Sequence, residues 1–206
     1  MRFPDSRILL FAKAPEPGQV KTRLLPALGE QQAAELYAEL LSGVIDRMGC
    51  DIAPLQLWCT PTAQHPFFQQ IAEKRWVSLY RQQGGDLGQR MEHAARQVLA
   101  EATSVLLIGG DCPVLDGRYL RRALEWLDGG GDAVLGPAED GGYVLLGLRQ
   151  VTSDLFENIP WGTGSVCDIT RQRLDALKWQ WHELEPLWDV DREEDLERYL
   201  QLAGKL

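Results

Sequence analysis

The feature of this chain that most constrains its fold is the regular alternation of short apolar runs with longer segments of helical periodicity. Residues 6–14 contain an apolar run of the kind that a parallel sheet buries on both faces. In residues 29–48, apolar side chains recur every three or four positions until Gly49, which predicts an amphipathic helix. Because this alternation continues, we predict an α/β fold with a mainly parallel central sheet and helices on both faces.

The other predicted elements continue the alternation along the chain. Strands are predicted at residues 55–60, 76–80, 105–108, 133–135, 143–148 and 181–184, and helices at residues 67–74, 87–99, 119–127, 166–177 and 193–202. The sequence contains no internal repeat, no low-complexity segment and no linker long enough to divide it. We therefore predict a single domain over residues 1–206, a length that suffices for one substantial core.

The overall charge and the cysteines exclude several functional classes. The formal net charge is -9 and the pI is near 4.9, whereas general binders of nucleic acid or of anionic membranes carry a broad basic surface. No apolar stretch approaches the roughly 18 to 20 residues of a membrane span, and the N-terminus lacks a signal-peptide pattern. Cys50, Cys59, Cys112 and Cys167 never approach CxxC spacing, which argues against a zinc site or a disulfide framework. We expect a cytoplasmic protein that binds no nucleic acid and holds any anionic ligand locally.

The stretch FAKAPEPGQVKTRLLPALG, residues 11–29, follows the first strand and gathers positive charge in an acidic chain. In open α/β sheets, ligands bind beyond the carboxyl ends of the strands, where loops and helix N-termini converge. A proline–glycine loop there lets Lys13, Lys21 and Arg23 point at a phosphate group. The alternative is a solvated lysine-rich loop, because the spacing does not match the P-loop pattern GxxxxGK(S/T).

The stretch IGGDCPVL, residues 108–115, ends an apolar strand in two glycines and an aspartate. Asp111 is thereby expected at the edge of the sheet, where small neighbours let a diphosphate and a hard cation approach. Magnesium is usually bound through one or two carboxylates together with substrate phosphates, so this one aspartate is a sufficient anchor. Alternatively, Asp111 caps a turn before Pro113. Cys112 is interpreted as small buried filler, since the motifs offer no histidine as its base.

Two acidic motifs follow later in the chain. GPAEDGGYVLLGL places Glu139 and Asp140 in a glycine-bounded turn between two apolar strands, which an ordinary hairpin also explains. We favour substrate contact by Asp140, because Asp111 already stands at another strand end. WDVDREEDLERYL carries Asp189 and Asp191 on one side of the chain if the segment is extended. A capping box with Glu194 at the start of the last helix is the simpler explanation of Asp191, but it does not explain Asp189.

Two stretches are suited to the organic part of a ligand. PWGTGSV places Trp161 beside small residues, where the indole forms either the wall of a sugar or base pocket or a plug in the core. QQGGDLGQRM, residues 82–91, is a glycine-rich turn that begins a helix, and such a turn can approach a nucleotide closely.

In chain order, FAKAPEPGQVKTRL, GGDLGQRM, GGDCPVL, GPAEDGGYVLLGL, PWGTGSV and WDVDREEDL resemble the motifs of a family of small bacterial transferases. These are DUF2064-type proteins, which include radical-SAM-associated and arsenosugar-biosynthesis glycosyltransferases. The resemblance covers residues 9–196 and rests on six motifs. It implies the Rossmann-like glycosyltransferase A fold of the nucleotide-diphospho-sugar transferase superfamily.

The resemblance also implies roles for individual residues. Asp111 corresponds to the aspartate that holds Mg²⁺ or Mn²⁺ against the nucleotide diphosphate, and either Asp189 or Asp191 to a second metal ligand. Asp140 lies where contact with the acceptor or the sugar is expected. The chain has Gly-Asp-Cys-Pro where many glycosyltransferases have Asp-x-Asp, which weakens the expectation of chelation by two carboxylates of that motif. The residues expected around the nucleotide are Ala12, Lys13, Pro15, Gly18, Lys21, Arg23, Gly85, Asp86, Gly88, Gly110, Asp111, Gly141, Gly142, Trp161 and Thr163.

Three functions are compatible with these patterns. The first is metal-dependent glycosyl transfer from a nucleotide sugar to a small acceptor, with Asp111, Asp140, Lys21 and Arg23 as catalytic residues. The second is nucleotidylyl transfer from a nucleoside triphosphate to a small phosphorylated substrate with release of pyrophosphate. The third is a non-catalytic nucleotide-binding module. Trp179 and Trp181, in polar surroundings, leave room for a homodimer interface.

Overall fold

A computed structural model describes residues 1–49, 51–75 and 77–204, and in it seven strands form one sheet. The sheet order is β3-β2-β1-β4-β6-β5-β7. The strands are β1 Ser6–Lys13, β2 Leu55–Thr60, β3 Ser78–Arg81, β4 Ser104–Gly109, β5 Ala133–Pro137, β6 Tyr143–Leu148 and β7 Trp181–Glu183.

The pairing of the strands confirms the mainly parallel sheet. β1 pairs in parallel with β2 on one side and β4 on the other, and β2–β3 and β5–β7 are also parallel. β6 is antiparallel to both β4 and β5. The short turn between β5 and β6 requires this reversal, because a parallel connection needs a crossover of a dozen or more residues.

The described part of the chain contains six α-helices. They are α1 Leu25–Met48, α2 Pro66–Arg75, α3 Leu87–Leu99, α4 Gly117–Asp128, α5 Val166–Ala176 and α6 Glu193–Leu202. The first begins earlier than the predicted residue 29, because a short turn precedes a kink at Gly29, where φ is 75°. Of the third predicted strand, Trp76 lies outside the described residues, as does Cys50.

The apolar run of β1 supplies both faces of the core, as its continuity predicts. Leu9 and Leu10 are both fully buried, but they belong to different clusters, because successive side chains of a strand point to opposite faces. Leu10 packs with residues of α1, α2 and α4, whereas Leu9 packs with residues of α3 and α5. This confirms the prediction of helices on both faces.

The predicted surface tryptophans pack against the protein itself. Trp179 and Trp181 lie partly buried against the core cluster that contains Leu9, and the Trp181 indole donates a hydrogen bond of 2.9 Å to Asp175 Oδ1. A homodimer interface remains a prediction. Within residues 1–49, 51–75 and 77–204, every helix is too short or too polar to cross a membrane.

Candidate active site at the carboxyl edge of the sheet

The carboxyl ends of β1 and β4 bring the first basic loop beside Asp111. The two strands are parallel, with Phe11 opposite Gly109, so the segments that follow them leave the same edge of the sheet. Lys21 Nζ donates a hydrogen bond of 2.8 Å to Asp111 Oδ2. The Lys21 side chain is only 5% exposed, and that of Asp111 is 33% exposed. The structure thus joins two predicted site residues that are 90 positions apart.

The segment before α6 completes this edge. The Val190 amide donates to the Asp111 carbonyl at 3.2 Å, which holds the neighbouring Asp189 and Asp191 beside the end of β4. Arg23 forms an ion pair with Asp191. Arg23 Nη2 also lies 3.4 Å from the Gly162 carbonyl oxygen. The sequence predicted Arg23, Asp189 and Asp191 as site residues, but it did not predict the pairing of Arg23 with Asp191.

The predicted capping box at the last helix was wrong in its details. α6 begins at Glu193, and the carboxylate of Asp195 accepts hydrogen bonds from the backbone N–H groups of Asp191 and Arg192 at 3.1 and 2.8 Å. Glu194 is not the residue that reaches back. Asp195 performs this role because it stands three residues after Arg192, the position from which an acidic side chain reaches the first amides of a helix. Asp191 is therefore left to pair with Arg23.

A cavity of about 350 Å³ opens between these side chains. Lys13 Nζ donates to the Gln19 carbonyl at 2.6 Å, so this ammonium closes the loop on itself. The Lys13 amide donates to the hydroxyl of Tyr37, a residue of α1 that the sequence analysis missed, and burial raises the pKa of that phenol. The cavity is lined by Lys13, Gln19, Val20, Lys21, Thr22, Arg23, Tyr37, Asp111 and Asp191. Cationic side chains thus face two carboxylates across one opening.

Asp189 is the most perturbed acid of the site. Burial and the charges of Asp111 and Asp140 raise its pKa from 3.8 to about 7, and Lys21 acts in the opposite direction. The charges of Asp111 and Asp140 therefore act on a largely buried carboxyl group that lies near one buried ammonium. Such a cluster of carboxylates favours a positive charge beside it, and Lys21 supplies one at Asp111.

The side chains of the site provide some of the ligands that a divalent cation needs, but not a complete set. Within the described residues, no group of three or more His, Cys, Asp and Glu side chains is arranged to hold a metal ion. Asp111 and Asp189 nevertheless provide two carboxylates that interact electrostatically. Mg²⁺ commonly uses one or two carboxylates and takes its other ligands from water and substrate phosphates. Asp191 is the weaker candidate of the predicted ligands, because Arg23 occupies it.

Asp140 lies in the β5–β6 turn, as both interpretations of its motif predict. Its Oδ1 accepts a hydrogen bond of 2.8 Å from the Gly142 amide, and the residue is exposed. Gly141 has φ 88°, and a Cβ at this position would lie 2.1 Å from the Gly164 carbonyl oxygen. These glycines allow the turn and the loop before α5 to approach each other. The hairpin explains the glycines and one oxygen of Asp140, which leaves Oδ2 available for a ligand.

Trp161 packs between the hairpin and α3. Its ring meets that of Tyr143 edge-on, with 6.4 Å between the centroids. A Cβ added to Gly88 would lie 2.7 Å from Trp161 Nε1, so Gly88 is required for this approach. The partly buried indole belongs to the core cluster of Leu9. Nearby, the Thr163 hydroxyl donates to the Pro160 carbonyl at 2.8 Å, a contact that shapes the turn.

The QQGGDLGQRM stretch begins α3 and borders a second cavity at the same edge. Asp86 caps the helix by accepting a hydrogen bond of 2.8 Å from the Gln89 amide, while the Gly85 amide donates to Gln89 Oε1 at 2.9 Å. The second cavity has a volume of about 630 Å³ and is lined by Thr60, Pro61, Arg81, Gln82, Gln83, Gly84 and Arg90. It lies at the carboxyl ends of β2 and β3.

Gln82 connects this second cavity to β1. Its Nε2 donates to the carbonyl oxygens of Ala12 and Trp58 at 3.2 and 2.8 Å, which fixes the orientation of the amide and leaves Oε1 as an acceptor. The sequence analysis included Gln82 and Arg90 in the QQGGDLGQRM stretch without assigning them a role, and it missed Arg81. Their signal was their position, because Arg81 ends a strand and Gln82 follows it directly.

The remaining predicted residues contribute through their backbone. The Ala12 side chain is 2% exposed and Gly18 has φ 73°, a conformation that favours glycine. A Cβ at Gly110 would lie 2.5 Å from Leu41 Cδ1, so a larger residue there would require the Leu41 side chain to move. Cys112 is 1% exposed, and burial raises the pKa of its thiol to about 12, which agrees with its interpretation as filler. Pro15 precedes Glu16, whose amide donates to the Ala14 carbonyl in a tight turn.

Several proteins of known structure have a similar fold. A protein of Desulfovibrio desulfuricans G20 that is assigned to the nucleotide-diphospho-sugar transferases is 32% identical, with a TM-score of 0.88 over 97% of this chain and 87% of that one. A cytidylyltransferase from Leptospira borgpetersenii is 16% identical, with a TM-score of 0.62 over 98% and 88% of the two chains. Rv0371C of Mycobacterium tuberculosis H37Rv in complex with manganese is 16% identical, with a TM-score of 0.52 over 95% and 97%.

These similarities confirm the predicted nucleotide-diphospho-sugar transferase fold and the predicted enzyme class, a transferase. Among curated proteins, none matches the chain significantly. Residues 44–163 match the model of a family described as "Uncharacterized protein conserved in bacteria (DUF2064)". Since this match spans more than half of the chain and the Desulfovibrio relative is 32% identical over most of both chains, the chain belongs to the DUF2064 family, as its motifs predict.

Proposed function

We propose that the protein transfers a sugar from a nucleotide-diphosphate sugar to a small acceptor, with Mg²⁺ or Mn²⁺ as cofactor. The observation that carries this proposal is the Lys21–Asp111 pair beside a polar cavity of about 350 Å³ at the carboxyl ends of two adjacent parallel strands. Ligands of open α/β sheets bind at this edge. The Desulfovibrio relative supports the donor class, and the manganese complex of the Mycobacterium protein supports the metal.

We assign the nucleoside and the diphosphate of the donor to two separate cavities. The cavity of about 630 Å³ is large enough for a nucleoside, and the fixed Oε1 of Gln82 offers an acceptor to N–H groups of the base. The diphosphate then lies over the end of β1, in the cavity that Lys21 and Arg23 line. Gln82 lines the larger cavity and binds the carbonyl of Ala12, and the next residue, Lys13, lines the smaller cavity. The two cavities are therefore neighbours at the end of β1.

The side chains of the site have different roles in the proposed reaction. Lys21 and Arg23 neutralise the negative charge that develops on the departing diphosphate. Asp140 accepts the proton of the acceptor hydroxyl with Oδ2, while Oδ1 stays bound to the Gly142 amide and keeps the carboxylate in place. Asp111 and Asp189 would hold the metal, which when bound adds positive charge next to the same diphosphate oxygens.

Nucleotidylyl transfer is the second candidate, and the likeness to the cytidylyltransferase fold favours it. A triphosphate calls for more cations than a diphosphate. The Lys13 ammonium is bound to the Gln19 carbonyl, whereas Lys21 and Arg23 each pair with a carboxylate at the cavity. Two cations from this loop suit a diphosphate better than a triphosphate. We therefore place glycosyl transfer first.

The test is a product assay with each nucleotide sugar and each nucleoside triphosphate, with Mg²⁺, Mn²⁺ or a chelator. Glycosyl transfer releases a nucleoside diphosphate from the sugar donor when an acceptor is present. Pyrophosphate release from a triphosphate with a phosphorylated substrate would instead establish nucleotidylyl transfer. Ligands for the assay are first selected by thermal shift, because a ligand that binds the native state raises its melting temperature. Binding without any turnover would favour the non-catalytic module.

A further inference from the structure

The ammonium of Lys21 already occupies the carboxylate that we assign to the metal. Lys21 is 5% exposed, and its Nζ binds Asp111 Oδ2 at 2.8 Å. A buried ammonium is stable only with a counter-charge, and Asp111 supplies it. A divalent cation at Asp111 therefore meets a positive charge that lies within hydrogen-bonding distance of the same group.

Sharing of Asp111 between both cations is electrostatically unfavourable. A divalent ion bound to the other oxygen of this carboxylate would lie a few ångströms from the ammonium. Because the ammonium is almost completely buried, solvent screens this repulsion only in part. The repulsion therefore favours the release of one of the two cations from the carboxylate.

Lys21 is the cation with an alternative position. Its backbone is left-handed, with φ 49° and ψ 40°, a conformation that few residues other than glycine adopt. Its side chain also lines the cavity of about 350 Å³, so a small change at Lys21 would direct the ammonium to a phosphate there.

We propose that Lys21 and the divalent metal compete for Asp111, and that the metal binds well only when a phosphate group gives Lys21 a new partner. The exchange rests on the proposed function for the identity of that phosphate, which belongs to the nucleotide donor. Its consequence is that the metal enters together with the nucleotide, and that Lys21 suppresses metal binding to the protein without nucleotide.

Binding of Mn²⁺ alone tests the competition without any assay of activity. Mn²⁺ is titrated into wild type and Lys21→Met, with free Mn²⁺ measured by electron paramagnetic resonance and the heat by calorimetry. We expect Lys21→Met to bind Mn²⁺ about tenfold more tightly than wild type. Lys13→Met is the matched control, because Lys13 lines the same cavity but binds a backbone carbonyl, and its Mn²⁺ affinity should equal that of wild type. Equal or weaker binding by Lys21→Met would overturn the proposal.

Two further measurements test whether the change in Mn²⁺ affinity depends on Asp111 and on a bound nucleotide. Adding Asp111→Asn to Lys21→Met should abolish the gain in Mn²⁺ affinity, and a gain that persists would also overturn the proposal. Lys21→Gln, checked with the others by circular dichroism, replaces Lys21→Met if that variant does not fold. A nucleotide that stabilises wild type should raise Mn²⁺ affinity more in wild type than in the Lys21 variant. If no nucleotide binds, the proposed function fails, whereas the titration with Mn²⁺ alone still decides the competition.

Discussion

The Nζ atom of Lys21 lies 2.8 Å from Oδ2 of Asp111, and this contact ties the loop after β1 to the end of β4. The ammonium is almost completely buried, whereas the carboxylate is one-third exposed. The two partners therefore differ in what they lose when the pair is broken. Water can solvate the carboxylate after removal of Lys21, but it cannot reach the ammonium after removal of Asp111.

We expect Asp111→Asn to lower the free energy of unfolding by about 2 kcal/mol, because it leaves a buried ammonium without a counter-charge. Lys21→Met should cost less, about 1 kcal/mol, since the remaining carboxylate is hydrated. Urea denaturation of both variants measures the difference. Asp111→Asn should also reduce turnover at least about a hundredfold. If Lys21→Met were the less stable of the two, or if Asp111→Asn kept full activity, our account of the pair would be wrong.

The pKa of Asp189 predicts a pH dependence of stability. Because the folded-state pKa is raised from 3.8 to about 7, the folded protein binds the proton more tightly than the unfolded chain does. Stability therefore falls as pH rises from about 4 to about 7, and the loss is complete above the folded-state value. The shift of about three pH units sets an upper bound of about 4 kcal/mol, and we expect about half of it, because the carboxyl is not fully buried.

Asp189→Asn should remove the decrease in stability that accompanies the rise in pH. With a chelator present, the variant should be about 2 kcal/mol more stable than wild type at pH 8 and equal to it near pH 4, as measured by urea denaturation across pH. Asp128→Asn, which changes an exposed aspartate on α4, is the control and should follow wild type at every pH. Parallel curves for wild type and Asp189→Asn would show that the carboxyl is not perturbed.

Asp140→Asn should separate chemistry from binding. An asparagine retains the side-chain oxygen that accepts from the Gly142 amide, so the turn is preserved, but it cannot accept the acceptor's proton. We expect kcat to fall about a hundredfold or more with the melting temperature and nucleotide affinity unchanged. The neighbouring Glu139→Gln, which affects an exposed pair with Arg198, should change kcat less than about twofold. Comparable losses in both variants would remove Asp140 from its proposed role.

Gly88→Ala should displace Trp161. The new Cβ would lie 2.7 Å from both the Trp161 indole nitrogen and the Phe156 carbonyl oxygen, and overpacking of this kind typically costs about 1–3 kcal/mol. A change in tryptophan fluorescence should accompany the loss of stability. Gly85→Ala is the matched control, because its Cβ would meet only the flexible end of Gln89 at 3.3 Å. An unaltered melting temperature and spectrum in Gly88→Ala would contradict the packing that we describe.

Most of the fold was predictable because its signals are local. The apolar run of β1 and the three- and four-residue spacing of α1 each reflect the geometry of a single element. The boundary errors have local causes as well. The turn before Gly29 was missed, because a glycine with positive φ inside an otherwise helical stretch was taken as the start of the helix.

The candidate site was predictable residue by residue but not as a set of contacts. Asp111, Lys21 and Arg23 were identified because each follows a strand or lies in the loop beyond it. Tyr37 was missed, and Gln82 was quoted only as part of the QQGGDLGQRM stretch, because neither carries a pattern that marks it individually. Gln82 acts through two backbone carbonyls and Tyr37 through a backbone amide, and such contacts leave no pattern in the sequence.

The sequence alone determined which segments form strands and helices, and which polar side chains stand at the ends of strands, because hydrophobic periodicity and glycine positions act over a few residues. Only the tertiary structure decided that Lys21 binds Asp111 and that Arg23 binds Asp191, over separations of 90 and 168 residues. The order of the strands and the bond from the Val190 amide to the Asp111 carbonyl bring these charges together. Whether a cation meets a phosphate, a metal or a carboxylate depends on distances of a few ångströms, which packing of the whole chain sets.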